Sequence, residues 1–256
     1  METLVIPLSL GLLGIVLRGS AFAFAPYARG RGRRALDAVF GLSSVLTPFM
    51  FGAATGGIVS DRVPAGRPGD AWSSWLNPTS LALGVLAVVL CAYLAAVYLA
   101  ADARRRDLPD EAAVFRAWAL GAGVVAGALA LAALVVVRAD ADRVWTGLVH
   151  GDGRAAVAAS VVCGVAALAA VWWHRAEVAR LAAAGAVAAV VAGWALAQHP
   201  HALPGSLSID QAQAERPVLV LLLWTVGVGA AILVPSLVLL YRLALTGRVE
   251  AYHDED

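Results

Sequence analysis

Arg18 stands inside an otherwise apolar run over residues 3–25, and an ionisable side chain held in hydrocarbon is costly enough to mark a functional candidate. It lies about seven residues from the end of that run, roughly 10 Å at 1.5 Å per residue, so its guanidinium reaches part-way to the interface. Two roles are open to it: pairing with a carboxylate or carbonyls of another helix, or a direct part in a proton or quinone path. The five histidines come next, because a membrane redox centre needs axial ligands within the bilayer. None is mid-run: His150 and His253 lie in a connection and the tail, His174 ends the fifth apolar run, and His199 and His201 flank Pro200 at the end of the sixth. A His-x-His pair needs further ligands to hold a metal, and no Cys or acidic residue stands at ligand spacing, so no metal site is expected. Asp210 and Glu215 precede the last run and read as solvated loop residues or a cap to the next helix. Cys91 and Cys163 fall inside apolar stretches as small core residues, which excludes a disulfide framework. No Walker loop, His-Glu-x-x-His, nucleophile elbow or internal repeat is present, so no catalytic residue is assigned to the chain.

The elements that position these residues follow from composition. Of 256 residues, 61% are hydrophobic and 14% charged, against roughly a quarter charged in a soluble domain, and the mean hydropathy is +0.77. A water-soluble surface is excluded. A net charge of +1 without basic runs interleaved with aromatics gives no sign of nucleic-acid binding. Windows of about 20 residues pick out seven apolar segments, near 3–25, 36–59, 78–101, 113–137, 154–174, 178–199 and 217–243. A β-barrel needs alternating strands of about 10 residues, and runs such as 126–137 do not alternate. The fold class is therefore all-α, a polytopic transmembrane bundle of about seven spans, expected to form a single integral membrane domain over 1–256.

Orientation is read from arginine, since all 19 basic residues are Arg. Connections after spans one, three, five and seven hold twelve of them, those after spans two, four and six hold six, and Arg18 is the remaining one. The rule that cytoplasmic loops are basic then puts the N-terminus outside, the C-terminus in the cytoplasm, and the Pro-rich loops 60–77 and 199–216 outside. Ala21-Phe22-Ala23 resembles a signal-peptidase site, but the acidic start Met1-Glu2-Thr3, Arg18 and the basic loop that follows favour a retained span. Trp72, Trp75, Trp145 and Trp194 fall near span ends as interfacial anchors. The spacings Gly52 to Gly56 and Gly123 to Gly127 permit close helix contact.

Several segments together resemble subunit II of the cytochrome bd-type quinol oxidases. Leu17-Arg18-Gly19-Ser20-Ala21-Phe22 is similar to the family's Arg-Gly-x-x-Phe stretch. The run Gly41-Leu42-Ser43-Ser44-Val45-Leu46-Thr47-Pro48, with Gly52 and Gly56, resembles its next helix, and Leu76-Asn77-Pro78 resembles a Leu-Asn-Pro helix start. Gly193-Trp194, Pro200, Pro204 and Leu207-Ser208-Ile209-Asp210-Gln211-Ala212 look like its Pro-containing loop with a Leu-Thr-x-x-Asp-Ala motif. Pro235 with Leu240-Tyr241 resembles its final helix. The order and spacing of these matches extend over about 240 residues of the sequence.

The resemblance implies the supporting subunit of a membrane terminal oxidase that oxidises quinol and reduces oxygen to water in the aerobic respiratory chain of the cell membrane. It implies cytochrome bd subunit I as partner, with haems b and d in that partner, quinol or quinone and membrane lipid as further partners, and a possible structural quinone. It also implies two helices ahead of the position where this chain begins, carrying acidic and Trp residues with no counterpart here. Two other readings of the residues stand beside it: a seven-helix transporter or permease, although spans one to three do not resemble four to six in charge or Pro placement, and a purely structural assembly subunit.

Overall fold

The computed structural model describes residues 2–64, 69–203, 207–208 and 215–245. Its helices are α1 (Val5–Phe24), α2 (Arg31–Val59), α3 (Pro78–Arg105), α4 (Pro109–Asp140), α5 (Asp142–Val149), α6 (Arg154–Trp172), α7 (Ala176–Gln198) and α8 (Arg216–Leu245). All but α5 are long and apolar enough to cross a membrane. The all-α bundle of seven spans expected from hydropathy is what the chain forms.

The chain makes two compact units, Met1–Ile209 and Asp210–Asp256. In the first, α1 packs on α2, α2 on α3, α3 on α4 and α7, and α6 on α7. The strands β1 (His201–Leu203) and β2 (Leu207–Ser208) pair antiparallel after α7. The second unit contributes α8, which carries Pro235 inside it.

Several helices outrun their apolar segments because polar ends continue the backbone pattern. α2 starts at Arg31 rather than near 36, and Arg33 meets Asp37 one turn on at 3.0 Å, a spacing that supports helix. α4 runs from Pro109, with Asp110 and Glu111 in its first turn and Arg138 in its last, charges placed to complement the helix dipole. Pro48 sits inside α2, as membrane helices tolerate where neighbours cover the backbone. The short helix α5 is absent from the hydropathy reading because eight residues cannot register in a span-length window. It turns Val144 into a cluster with Val59, Val137 and Ala141, against which Trp145 and Trp194 pack.

The start of α3 is built by its own sequence. Asn77 is the N-cap: its Oδ1 accepts the Ser80 N–H at 2.9 Å, while its side-chain amide donates to the Ser74 carbonyl at 3.0 Å. Pro78 follows at the first helical position, where no N–H is needed. Asn77→Ala is expected to lower stability by about 1 kcal/mol through loss of the cap, read as a downward shift in thermal unfolding of the purified protein. Asn77→Ser, which keeps an acceptor, is expected to recover most of it.

The core is divided along the bundle. Tyr93 and Val97 of α3, Ala119 of α4, Ala167, Ala170 and Val171 of α6, and Ala179 and Ala183 of α7 form one cluster. A second gathers Leu4, Met50, Ala53, Ala54 and Trp75. Trp75 thus corrects its reading as a belt residue. Its ring is 6% exposed, its indole N–H is satisfied by the Ala71 carbonyl at 3.0 Å, and Trp72 beside it, at a ring separation of 5.9 Å, keeps the exposed position.

Candidate functional site

The polar groups of the first unit collect at its two ends. At one end, where α2 finishes, α3 begins and α4 finishes, Arg62 donates through both terminal nitrogens to Asp140, at 2.8 Å to Oδ2 and 2.7 Å to Oδ1. The Thr79 hydroxyl donates to Asp140 Oδ2 at 2.6 Å. This fork-to-fork geometry is the strong form of a charged hydrogen bond, and Thr79 is fully buried. The Asp140 carboxylate holds the Arg62 guanidinium above its ordinary value, chiefly by that hydrogen bond. One carboxylate therefore ties the loop after α2, the first turn of α3 and the last turn of α4.

At the other end, α3 finishes, α4 begins, α6 finishes and α7 begins. Arg105 reaches across to Glu177 at 2.8 Å, Arg104 donates to the His174 carbonyl, and Arg116 donates to the Val171 and Trp172 carbonyls at 3.0 Å each. Arg180 stands 3.7 Å from Asp102 and 4.6 Å from the Tyr98 ring centre. Arg104 and Arg116 thus bond carbonyls at and just beyond the end of α6.

Arg18 belongs to neither end. Its guanidinium lies 5.5 Å from the centre of the Phe40 ring, a cation–π contact between α1 and α2. Gly19 and Phe22 beside it are exposed, and a Cβ at Gly19 would meet nothing within 4 Å. Trp194 is half-buried in the α5–α7 cluster, and its indole nitrogen has no partner among the described residues. Pro200 is exposed beyond α7, and Pro235 lies in α8 of the second unit. Pro204 and Asp210 lie outside the described residues, as does the side chain of Tyr241. The structure thus sets Arg18 with Phe40 and Asn77 with Pro78, and does not gather the remaining sequence candidates at one place.

The donor set can be tested against a haem or metal. His150, His174, His199 and His201 are exposed at helix ends or in connections, and Met50 is packed in the second core cluster. No group of three His, Cys, Asp or Glu suited to a metal occurs among the described residues. Among the described residues no histidine, the usual axial ligand of a haem, stands within a span.

A family model described as cytochrome bd terminal oxidase subunit II matches residues 1–244. The chain belongs to that family. No curated protein matches it. Among solved structures it is similar to a chain of the bd oxidase from Geobacillus thermodenitrificans, with a TM-score of 0.74 at 20% identity, over 95% of this chain and 74% of that one. At that identity the likeness concerns the fold. As a bd oxidase subunit II, this chain is a membrane-spanning component of a respiratory oxidoreductase.

Sequence reasoning missed the Arg62–Thr79–Asp140 tie in this subunit. Arg62 enters it only as a loop charge, and Asp140 falls just past the fourth apolar run. The one available signal is that Arg62 and Asp140 lie in connections expected on the same side of the membrane, and so are free to pair.

Proposed function

We propose that this subunit supports a haem-bearing subunit I in a terminal oxidase that oxidises quinol and reduces oxygen to water. Haems b and d then belong to the partner, and the main quinol site with them. The observation that carries the reading is the family match over residues 1–244. Its support from the residues is that His150, His174, His199 and His201 stand outside the seven spans, which fits redox ligands supplied by another chain. A quinone held permanently by this subunit would be structural.

The chain is placed in the cytoplasmic membrane with its N-terminus outside and its C-terminus in the cytoplasm. Arg105 at the end of α3 meets Glu177 at the start of α7, and Arg62 just beyond α2 meets Asp140 at the end of α4. That pairing supports the alternation of sides on which the orientation rests.

Expressed beside a haem-bearing subunit I, the chain is expected to co-purify with bd-type absorption and quinol-dependent oxygen uptake. A partner that assembles and turns over normally without it would overturn the proposal, and substrate flux by this chain alone in liposomes would favour a transporter. Arg18→Ala separates the two roles open to Arg18. A helix contact to Phe40 is worth about 0.5–1 kcal/mol, so lowered thermal stability of the complex, matched by Phe40→Leu, assigns pairing. An equally stable complex that has lost turnover assigns the path role.

A further inference from the structure

A cavity of about 610 Å³ opens at the arginine-rich end of the first unit, between the ends of α3 and α6 and the starts of α4 and α7. Its inner wall is apolar, with Val97, Leu108 and Val171 among the lining residues, and Arg104, Arg116 and Asp107 stand on it as well. Carbonyls at and just beyond the end of α6 hold both arginines in place: Arg104 donates to His174, and Arg116 to Val171 and Trp172. A guanidinium has five N–H donors, so each arginine keeps donors beyond these bonds.

Two arginines against one lining carboxylate, Asp107, leave the cavity with a net positive charge. α4 and α7 both begin there, and neither Leu108 nor Arg175 provides a side-chain cap. The partial positive charge of these two helix starts is offset by Asp110 and Glu111 in the first turn of α4 and Glu177 in that of α7, so the positive charge of the cavity is that of its arginines. Asp107 is the single acidic residue among those lining the cavity, and Glu177 in the first turn of α7 is already paired with Arg105. A cavity that is cationic at its polar end and apolar at its inner end, where spanning helices terminate, has the chemistry of a lipid head-group site.

We infer that this cavity binds the phosphate of an anionic phospholipid between Arg104 and Arg116, with the glycerol and first acyl carbons against the apolar wall. A free phosphate would satisfy the arginines and leave that wall without a partner, which decides for the lipid. The inference is independent of the redox chemistry proposed for the complex.

The test uses the oxidase complex containing the full chain, delipidated in detergent and titrated with dioleoyl phosphatidylglycerol under native mass spectrometry. Two arginines should make phosphatidylglycerol bind roughly thirtyfold tighter than dioleoyl phosphatidylcholine at one site. Arg104→Gln with Arg116→Gln should abolish that preference. Because those arginines also cap α6, Ala113→Trp supplies an independent arm: it fills the cavity, leaves both arginines in place, and should remove the same bound lipid. Arg106→Gln, whose side chain does not line the cavity, should retain it. Retention of the lipid in Ala113→Trp, equal binding of phosphatidylcholine, or displacement by millimolar inorganic phosphate would each overturn the inference, the last by showing a site for small anions.

Discussion

Asp140→Ala is expected to lower the stability of the protein by about 2–3 kcal/mol, because one carboxylate accepts three hydrogen bonds from Arg62 and Thr79. The loss has two parts. Two bonds from a guanidinium and one from a buried hydroxyl vanish, and Thr79, fully buried, is left with its hydroxyl unpaired. Exposure moderates the electrostatic part, since the side chains of Arg62 and Asp140 are 36% and 18% exposed, so the stranded guanidinium is partly rehydrated. For a chain of this size the change corresponds to a fall of roughly 5–10 °C in unfolding temperature, measurable by tryptophan fluorescence on the purified complex. Arg62→Ala should cost a similar amount, and the double variant scarcely more than either alone, because both singles remove the same tie. Additive losses, or an Asp140→Ala protein that melts within a degree of the parent, would show that the three helix ends are held by other contacts.

That tie marks the boundary of what was legible in the sequence. Spans were legible because each is a local property: about 20 apolar residues must satisfy their own backbone in lipid, whatever surrounds them. The α3 start was legible for the same reason, since Asn77-Pro78 combines a capping side chain with a residue suited to the first helical position. Arg62 and Asp140 are 78 residues apart, and nothing in either neighbourhood specifies the other. The direction in which a tryptophan turns was equally hidden. Trp72 and Trp75 share one connection, yet one ring is 59% exposed and the other 6%, because only Trp75 meets Leu4 and Met50. Arg18 was conspicuous as a charge in an apolar run, but its Phe40 contact depends on how α1 lies on α2. The family resemblance rested on ordered motifs, and the family match over residues 1–244 supports it, while the individual motif residues remain scattered over the fold.

Small-residue spacing shows the same division, and it carries the second large prediction. Of the two glycine pairs marked by the sequence, Gly52 and Gly56 both stand at the α2–α3 contact. A Cβ at Gly56 would come within 2.3 Å of the Ser80 Cα and 2.7 Å of its nitrogen, and one at Gly52 within 2.6 Å of the Leu83 carbonyl oxygen. Those neighbours are backbone, so no rotamer change relieves the clash and the helices must separate. In the other pair, a Cβ at Gly123 meets Leu168 and Tyr93 side chains, whereas one at Gly127 meets nothing within 4 Å among the described residues. Gly56→Ala is therefore expected to destabilise by about 3 kcal/mol, the upper end of ordinary overpacking. Gly127→Ala should be neutral or slightly stabilising through helix propensity. Because Asp140 bonds both Arg62 beyond α2 and Thr79 on α3, separating these helices should also weaken that tie. Gly56→Ala is then expected to unfold at lower temperature and to leave less of this subunit in the purified complex. If Gly56→Ala and Gly127→Ala melt alike, the close approach of α2 and α3 is not what holds the first unit together.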